Sequence, residues 1–240
     1  MESRASLDIT DMPIEIRELV IRVSVPPGEV SALFMLPENA THVLVLAHGA
    51  GANMRSATMQ AISERLADAG IATLRYNFPY MEAGRPRVDS PEISADTVRA
   101  AAAKARELAP DLPLLAGGHS FGGRMTTTAA AGSSIDGLEG IVLFSFPLHM
   151  PDKPSTKRAE HLSSVTVPML FLSGTRDKLA DLDLLKPVVE KLDGLATLHL
   201  VDTGDHSYKV LKRTRESRED VFIEMARVVR NWVDTAKQAP

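Results

Sequence analysis

Three side chains in this 240-residue chain have the types and the order needed to open a carbonyl compound by nucleophilic attack: Ser120, Asp177 and His206. Ser120 lies in Gly117-Gly118-His119-Ser120-Phe121-Gly122-Gly123, between an apolar run at 112–116 and a small-residue helical stretch at 124–131. A serine hydroxyl is a weak nucleophile unless an adjacent base takes its proton. It must also stand clear of the backbone on a sharp strand-to-helix turn, where flanking positions have no room for side chains. Gly118 and Gly122 meet that demand, because glycine has no Cβ and tolerates strained dihedrals. His206 follows the last apolar run, 197–201, and is expected to be the base. Asp177 follows the run at 169–173 and is expected to orient the imidazole and stabilise its charged form. Asp181 and Asp183 compete with Asp177, which follows its strand most directly. Asp202 and Asp205 flank His206 too closely to brace it and read as solvated loop acids.

Charge developing on the carbonyl oxygen needs backbone donors. The amide of Phe121, directly after Ser120, is one. The amide of Ala50, in His48-Gly49-Ala50-Gly51-Ala52-Asn53, is the other, with Gly49 and Gly51 allowing close approach. The remaining histidines have plainer readings. His42 and His199 lie at or in strands, His48 braces the glycine turn, and His119 fills the variable position of the nucleophile motif. His149 and His161 line the site without the position a base requires. Gly49-x-Gly51 also suggests a dinucleotide fingerprint, but its third small residue would fall at Met54. The next strand ends in Arg75-Tyr76-Asn77, without the acid that holds a ribose. Neither a phosphate-loop lysine pattern nor metal-ligand histidine spacing is present, so no metal and no cofactor is expected.

The elements that must position these groups follow from hydrophobic patterning. Leu19, Ile21, Val23 and Val25 alternate, Pro26-Pro27-Gly28-Glu29 turns the chain, and 30–36 returns, predicting an antiparallel hairpin at a sheet edge. The runs at 43–47, 71–78, 141–146 and 169–173 read as strands covered on both faces. Helices are expected at 57–69, closed by Gly70, and at 91–109. Another is expected at 183–192, shortened or kinked by Pro187. The last helix carries a core stripe of Val221, Met225, Val228 and Trp232, widened by Phe222 and Val229. A loop rich in charge and proline fills 79–90, and a polar loop at 147–156 leads to a short helical stretch at 159–162. This alternation predicts an α/β fold: a mostly parallel sheet with an antiparallel N-terminal hairpin and helices on both faces. Function then gathers at the carboxyl ends of the strands. No repeat or linker interrupts the pattern, so 1–240 is expected to be a single domain, and 146–169 is too short for a large cap.

Composition narrows the function classes. The balance of 44% hydrophobic and 24% charged residues is that of a globular protein. A net charge of -4 argues against a general nucleic-acid binder. The absence of cysteine excludes disulfides, a thiol nucleophile and thiolate metal sites. Residues 1–11 are polar and acidic, without the apolar segment of a leader peptide, and no run is long enough to span a membrane. A cytoplasmic protein with no membrane or nucleic-acid partner is expected, its oligomeric state left open. The loops around the site carry Arg55, Arg85, Arg87, Lys153, Lys157 and Arg158 against Glu82, Asp89 and Asp152. The plain reading is a solvated rim of mixed charge. The sharper one makes Arg85, Arg87 and Lys153 contacts for an anionic substrate.

With these residues in view the chain resembles the α/β-hydrolase superfamily over nearly its whole length. The resemblance lies in Leu44-Val45-Leu46-Ala47-His48-Gly49-Ala50-Gly51, Arg75-Tyr76-Asn77-Phe78-Pro79-Tyr80, the Ser120 motif and Gly204-Asp205-His206-Ser207. The chain order Ser, Asp, His is the one that fold uses. More narrowly the chain is similar to small capless members near the dienelactone hydrolases. True dienelactone hydrolases use cysteine, so the resemblance implies hydrolase chemistry but not that substrate. It implies a serine hydrolase, a carboxylesterase or thioesterase, acting on an ester or thioester of a small soluble molecule through an acyl-enzyme. Two alternatives remain. Some relatives in this neighbourhood are parts of larger assemblies, which suits a non-catalytic binding or scaffold protein on the same fold. An acyltransferase would use the same three residues.

Overall fold

The computed structural model describes residues 14–236; residues 1–11, in which no leader is expected, lie outside the described residues. The alternating N-terminal segments form β1 (Ile14–Arg22) and β2 (Glu29–Pro37), paired antiparallel. The apolar runs form β3 (His42–Ala47), β4 (Ile71–Tyr76), β5 (Leu114–His119), β6 (Leu138–Phe144), β7 (Met169–Gly174) and β8 (Ala196–Val201). All eight make one sheet in the order β1-β2-β4-β3-β5-β6-β7-β8. It is parallel from β4 to β8, with β2 running antiparallel to both β1 and β4.

The helices are α1 (Ala57–Asp68), α2 (Pro79–Glu82), α3 (Pro91–Leu108), α4 (Phe121–Gly132), α5 (Leu182–Glu190) and α6 (Val221–Ala236), with a 3₁₀ helix at Lys157–Ser164. Side chains of a strand point alternately to opposite faces, and β3 shows what each face packs against. Val43, Val45 and Ala47 pack with Val98 and Ala101 of α3 and Met125 and Ala129 of α4. Leu44 and Leu46 pack with Met59 and Ile62 of α1 and Met225 and Val229 of α6. A third cluster joins β6 and β7 to α5 and the 3₁₀ helix through Leu143, Phe171, Leu162 and Leu185. Among the described residues no helix is long and apolar enough to cross a membrane.

Local details differ from the expectations. The strand expected to reach residue 78 stops at Tyr76, and the loop expected at 79–90 begins with α2. Pro79 explains this: its fixed φ suits the first helical position, where no N–H is needed. The strand before Ser120 runs on through His119, and α4 starts directly at Phe121. The helix expected at 183–192, shortened or kinked by Pro187, ends at Glu190 with Pro187 inside it. On α6 the fully buried stripe is Val221, Met225, Val229 and Val233, while Val228 and Trp232 are half-buried. The Trp232 indole lies against Gly140, where a Cβ would come within 2.7 Å of the ring.

Candidate active site

The carboxyl ends of β5, β7 and β8 carry the three chemical groups. Ser120 sits between β5 and α4 with φ 52° and ψ -115°, a strained conformation for a residue with a side chain. The strain is held by packing on both sides. A Cβ on Gly118 or on Gly122 would collide with the Ala47 carbonyl oxygen, so β3 and the start of α4 meet only because both are glycine. The Ser120 amide donates to the Phe144 carbonyl at 2.9 Å, tying the turn to the end of β6.

Ser120 Oγ lies 2.8 Å from His206 Nε2, and His206 Nδ1 lies 2.8 Å from Asp177 Oδ2. The Asp177 side chain is fully buried, and that of His206 is 21% exposed. An ionised carboxylate only accepts, so the proton sits on Nδ1 and Nε2 is left to accept from the serine hydroxyl. The other Asp177 oxygen accepts the Leu179 amide at 2.8 Å, which fixes the carboxylate plane. The Asp177 and His206 loops touch directly: Arg176 N–H donates to the Gly204 carbonyl at 2.8 Å, and a Cβ on Gly174 would strike that carbonyl. The arrangement can move a proton from Oγ to Nε2 while the buried carboxylate compensates the imidazolium.

The rival acids have other work. Asp181 caps α5, accepting the Asp183 amide at 2.9 Å. Asp205 accepts the Ser207 and Lys209 amides at 2.9 Å each, so it shapes the turn that carries His206. Asp202 accepts the Glu216 amide at 3.0 Å. These last two are solvent-accessible loop acids, as expected, that also staple their turns.

The loop after β3 lies against Ser120: a Cβ on Gly49 would stand 3.6 Å from the Ser120 Cβ and 3.1 Å from His119 Nδ1. Its shape is held from behind. His48 Nδ1–H donates to the Gly49 carbonyl at 2.8 Å, and Nε2 accepts the Phe78 amide at 3.1 Å. Burial lowers the His48 pKa to about 4, so the ring stays neutral in this role. The Tyr80 hydroxyl donates to the Ala50 carbonyl at 2.9 Å. Burial, and then Asp89, push the Tyr80 phenol up, so it keeps its proton. The Ala50 amide has no internal acceptor among the described hydrogen bonds. The Phe121 amide opens α4, where the first N–H groups have no intrahelical carbonyl.

Sequence reasoning missed two supports. His119 Nε2–H donates to the His206 carbonyl at 2.9 Å, clamping the His206 loop to the Ser120 turn. Burial holds the His119 pKa down at about 4, so it is a neutral clamp. No pattern marks it, since its partner is 87 positions away. The second is α2, whose Tyr80 steadies the Ala50 loop; Pro79 was the available signal.

The proposed substrate contacts divide. Arg85 is ion-paired to Asp89, whose side chain is buried, at 2.6 Å, and Arg55 is paired to Glu18 at 2.8 Å. Arg87 is exposed on the loop after α2. Lys153 lines a cavity beside α4. Among the described residues, no group of three or more His, Asp or Glu could hold a metal ion.

Residues 40–234 match the model of a family described as an alpha/beta hydrolase domain. Among solved structures, the chain is similar to a dienelactone hydrolase from Anabaena variabilis, at 20% identity and a TM-score of 0.68 over 92% of this chain and 98% of that one. It is similar to an α/β serine hydrolase without a lid from Xanthomonas campestris, at 21% identity and a TM-score of 0.70 over 93% and 95% of the two chains. It is also similar to Est1E from Butyrivibrio proteoclasticus, solved with ferulic acid bound, at 16% identity and a TM-score of 0.73 over 92% and 100%. At these identities the likeness is one of fold.

Proposed function

Because this chain belongs to the alpha/beta hydrolase domain family, we propose that it is a serine hydrolase cleaving a carboxylic ester or thioester of a small molecule through an acyl-enzyme. Ser120 Oγ attacks the carbonyl carbon as His206 Nε2 takes its proton, and Asp177 stabilises the resulting imidazolium. The amides of Phe121 and Ala50 donate to the oxyanion. His206 then protonates the departing alcohol or thiol, leaving the acyl group on Ser120. A water molecule, deprotonated by the same imidazole, attacks the acyl-enzyme, and collapse returns the hydroxyl to Ser120 and releases the acid.

The observation that carries the reading is the unbroken chain from Oγ to Nε2 and from Nδ1 to Oδ2, each link 2.8 Å long. A scaffold or binding protein has no need of all three groups in that order. The test is labelling with a fluorophosphonate probe, followed by a screen of 4-nitrophenyl esters of increasing acyl length. Parent protein is expected to label at Ser120, and Ser120→Ala to lose both labelling and turnover, by a factor on the order of 10⁶. Labelling that persists at another residue of folded Ser120→Ala would remove the assignment.

A further inference from the structure

We infer that the basic pocket beside the nucleophile turn is an anion subsite, and that the ester this protein cleaves carries a carboxylate or phosphate group. The inference rests on the hydrolase reading and names its substrate class. The pocket has a volume of about 400 Å³ and lies between the first turn of α4 and the connection from β6 to β7. Arg124, His149, Lys153, Lys157 and Arg158 line it, with Glu160 as the only carboxylate in the lining.

Arg124 is the central residue. It lies four positions after Ser120, and its amide donates to the Ser120 carbonyl at 3.1 Å, so it stands one helical turn from the nucleophile. Ten other described arginines are ion-paired to carboxylates. The Arg124 guanidinium has no hydrogen-bond or ion-pair partner among the described residues, although it is half-buried. Arg158 donates only to neutral acceptors, the His149 carbonyl at 3.1 Å and the Met150 sulfur at 2.9 Å.

A cation in the first turn of a helix also opposes the helix dipole. Burial, and then the nearby Arg158 charge, lower the Arg124 pKa. Among the described residues no carboxylate pairs with the Arg124 guanidinium to offset these costs. His149 accepts the Asp181 amide on Nε2 at 3.0 Å and has Nδ1 against the Met150 carbonyl at 2.8 Å, so both its ring nitrogens are engaged within the fold. His161, behind the pocket, contacts Thr127 at 2.8 Å, and burial with the Arg124 charge lowers its pKa. An anion in the pocket would compensate both guanidiniums at once. An arginine fork holds carboxylate or phosphate oxygens in pairs, and Lys153 and Lys157 add point charges that steer an anion inward. Arg55 and Arg85, equally basic in sequence, are already neutralised by Glu18 and Asp89.

The experiment compares kcat/KM within matched ester pairs at low and high ionic strength. One arm sets 4-nitrophenyl butyrate against mono-4-nitrophenyl glutarate, with the charge on the acyl side. A second sets phenyl butyrate against the butyrate esters of 4-hydroxybenzoate and of 4-hydroxyphenyl phosphate, with the charge on the leaving group. At least one charged ester is expected to be preferred by about tenfold, the worth of one good charge-assisted contact, and the preference is expected to fade with salt. Arg124→Gln should bring that ratio towards one, and Arg124→Lys should restore part of it. Folding of each variant is checked by circular dichroism. Calorimetric titration of Ser120→Ala protein with glutarate and with phenyl phosphate gives a readout without turnover. Binding of either that is lost in Ser120→Ala/Arg124→Gln supports the subsite. Neutral esters preferred in every pair, or a preference indifferent to Arg124→Gln in folded protein, overturns it. If no ester is cleaved and no probe labels Ser120, the hydrolase reading fails by itself, and the titration alone decides the subsite.

Discussion

His206 has both ring nitrogens engaged at 2.8 Å, and that double contact decides its tautomer. Replacing Asp177 by asparagine presents an N–H where a carboxylate oxygen stood, and the ring answers by moving its proton to Nε2. It then cannot accept from Ser120. Asp177→Asn is expected to fold and to lose about 10⁴ in kcat, the cost of the wrong tautomer in a comparable triad. Asp181→Ala removes a helix cap instead, costing about 1 kcal/mol of stability with turnover near that of the parent. Steady-state kinetics with a 4-nitrophenyl ester, beside urea titrations, separates the two. An inactive Asp181→Ala with a nearly normal Asp177→Asn would mean that the acid is misassigned.

At the scale of elements the site depends on β3, β5 and α4 approaching closely enough to shape one turn. At Gly122, as at Gly118, an added Cβ meets the Ala47 carbonyl and backbone with nowhere to go. Gly122→Ala is expected to destabilise the protein by about 1–3 kcal/mol or more and to misalign Ser120. Gly132, at the other end of α4, offers a contrast. A Cβ there would lie 3.5 Å from the flexible Arg99 side chain, an ordinary contact, and the backbone is not left-handed. Gly132→Ala is expected to raise stability by about 0.4–1 kcal/mol, by restricting the unfolded chain. Urea midpoints together with the rate of fluorophosphonate labelling check both. Equal midpoints for the two variants would contradict the packing argument.

For the whole molecule, two buried neutral histidines set a pH dependence of stability. Burial lowers His48 and His119 from 6.5 to about 4 in the fold. Between those values the unfolded chain binds protons that the folded chain refuses, so stability falls as the pH drops from 6.5 towards 4. The loss is up to about 3 kcal/mol for each histidine. Urea midpoints at pH values on either side of that window should show it. His48→Gln and His119→Gln, whose amides do not titrate, should each flatten the profile. An unchanged midpoint across the window in the parent protein would refute the linkage.

The chain by itself determined the order of strands and helices, the antiparallel start and the Ser120 turn, because these follow from local periodicity and from where glycine alone fits. It also ordered the three chemical groups, since each follows a strand and a parallel sheet gathers such positions at one end. It assigned α2 to a loop, because a four-residue helix has no periodicity to read. Asp177 was favoured over Asp181 and Asp183 only because it follows its strand most directly, and the meeting of the two loops at Gly174 and Gly204 is what brings it to His206. His119 could not be found, because its partner becomes a neighbour only when β5 and the loop after β8 come together. The basic residues show the same division most sharply. Their charges are legible one by one, but tertiary pairing neutralises Arg55 and Arg85 and leaves Arg124, which sequence did not single out, without an ion-pair partner among the described residues, because Coulomb energy depends on distances that only the folded chain fixes.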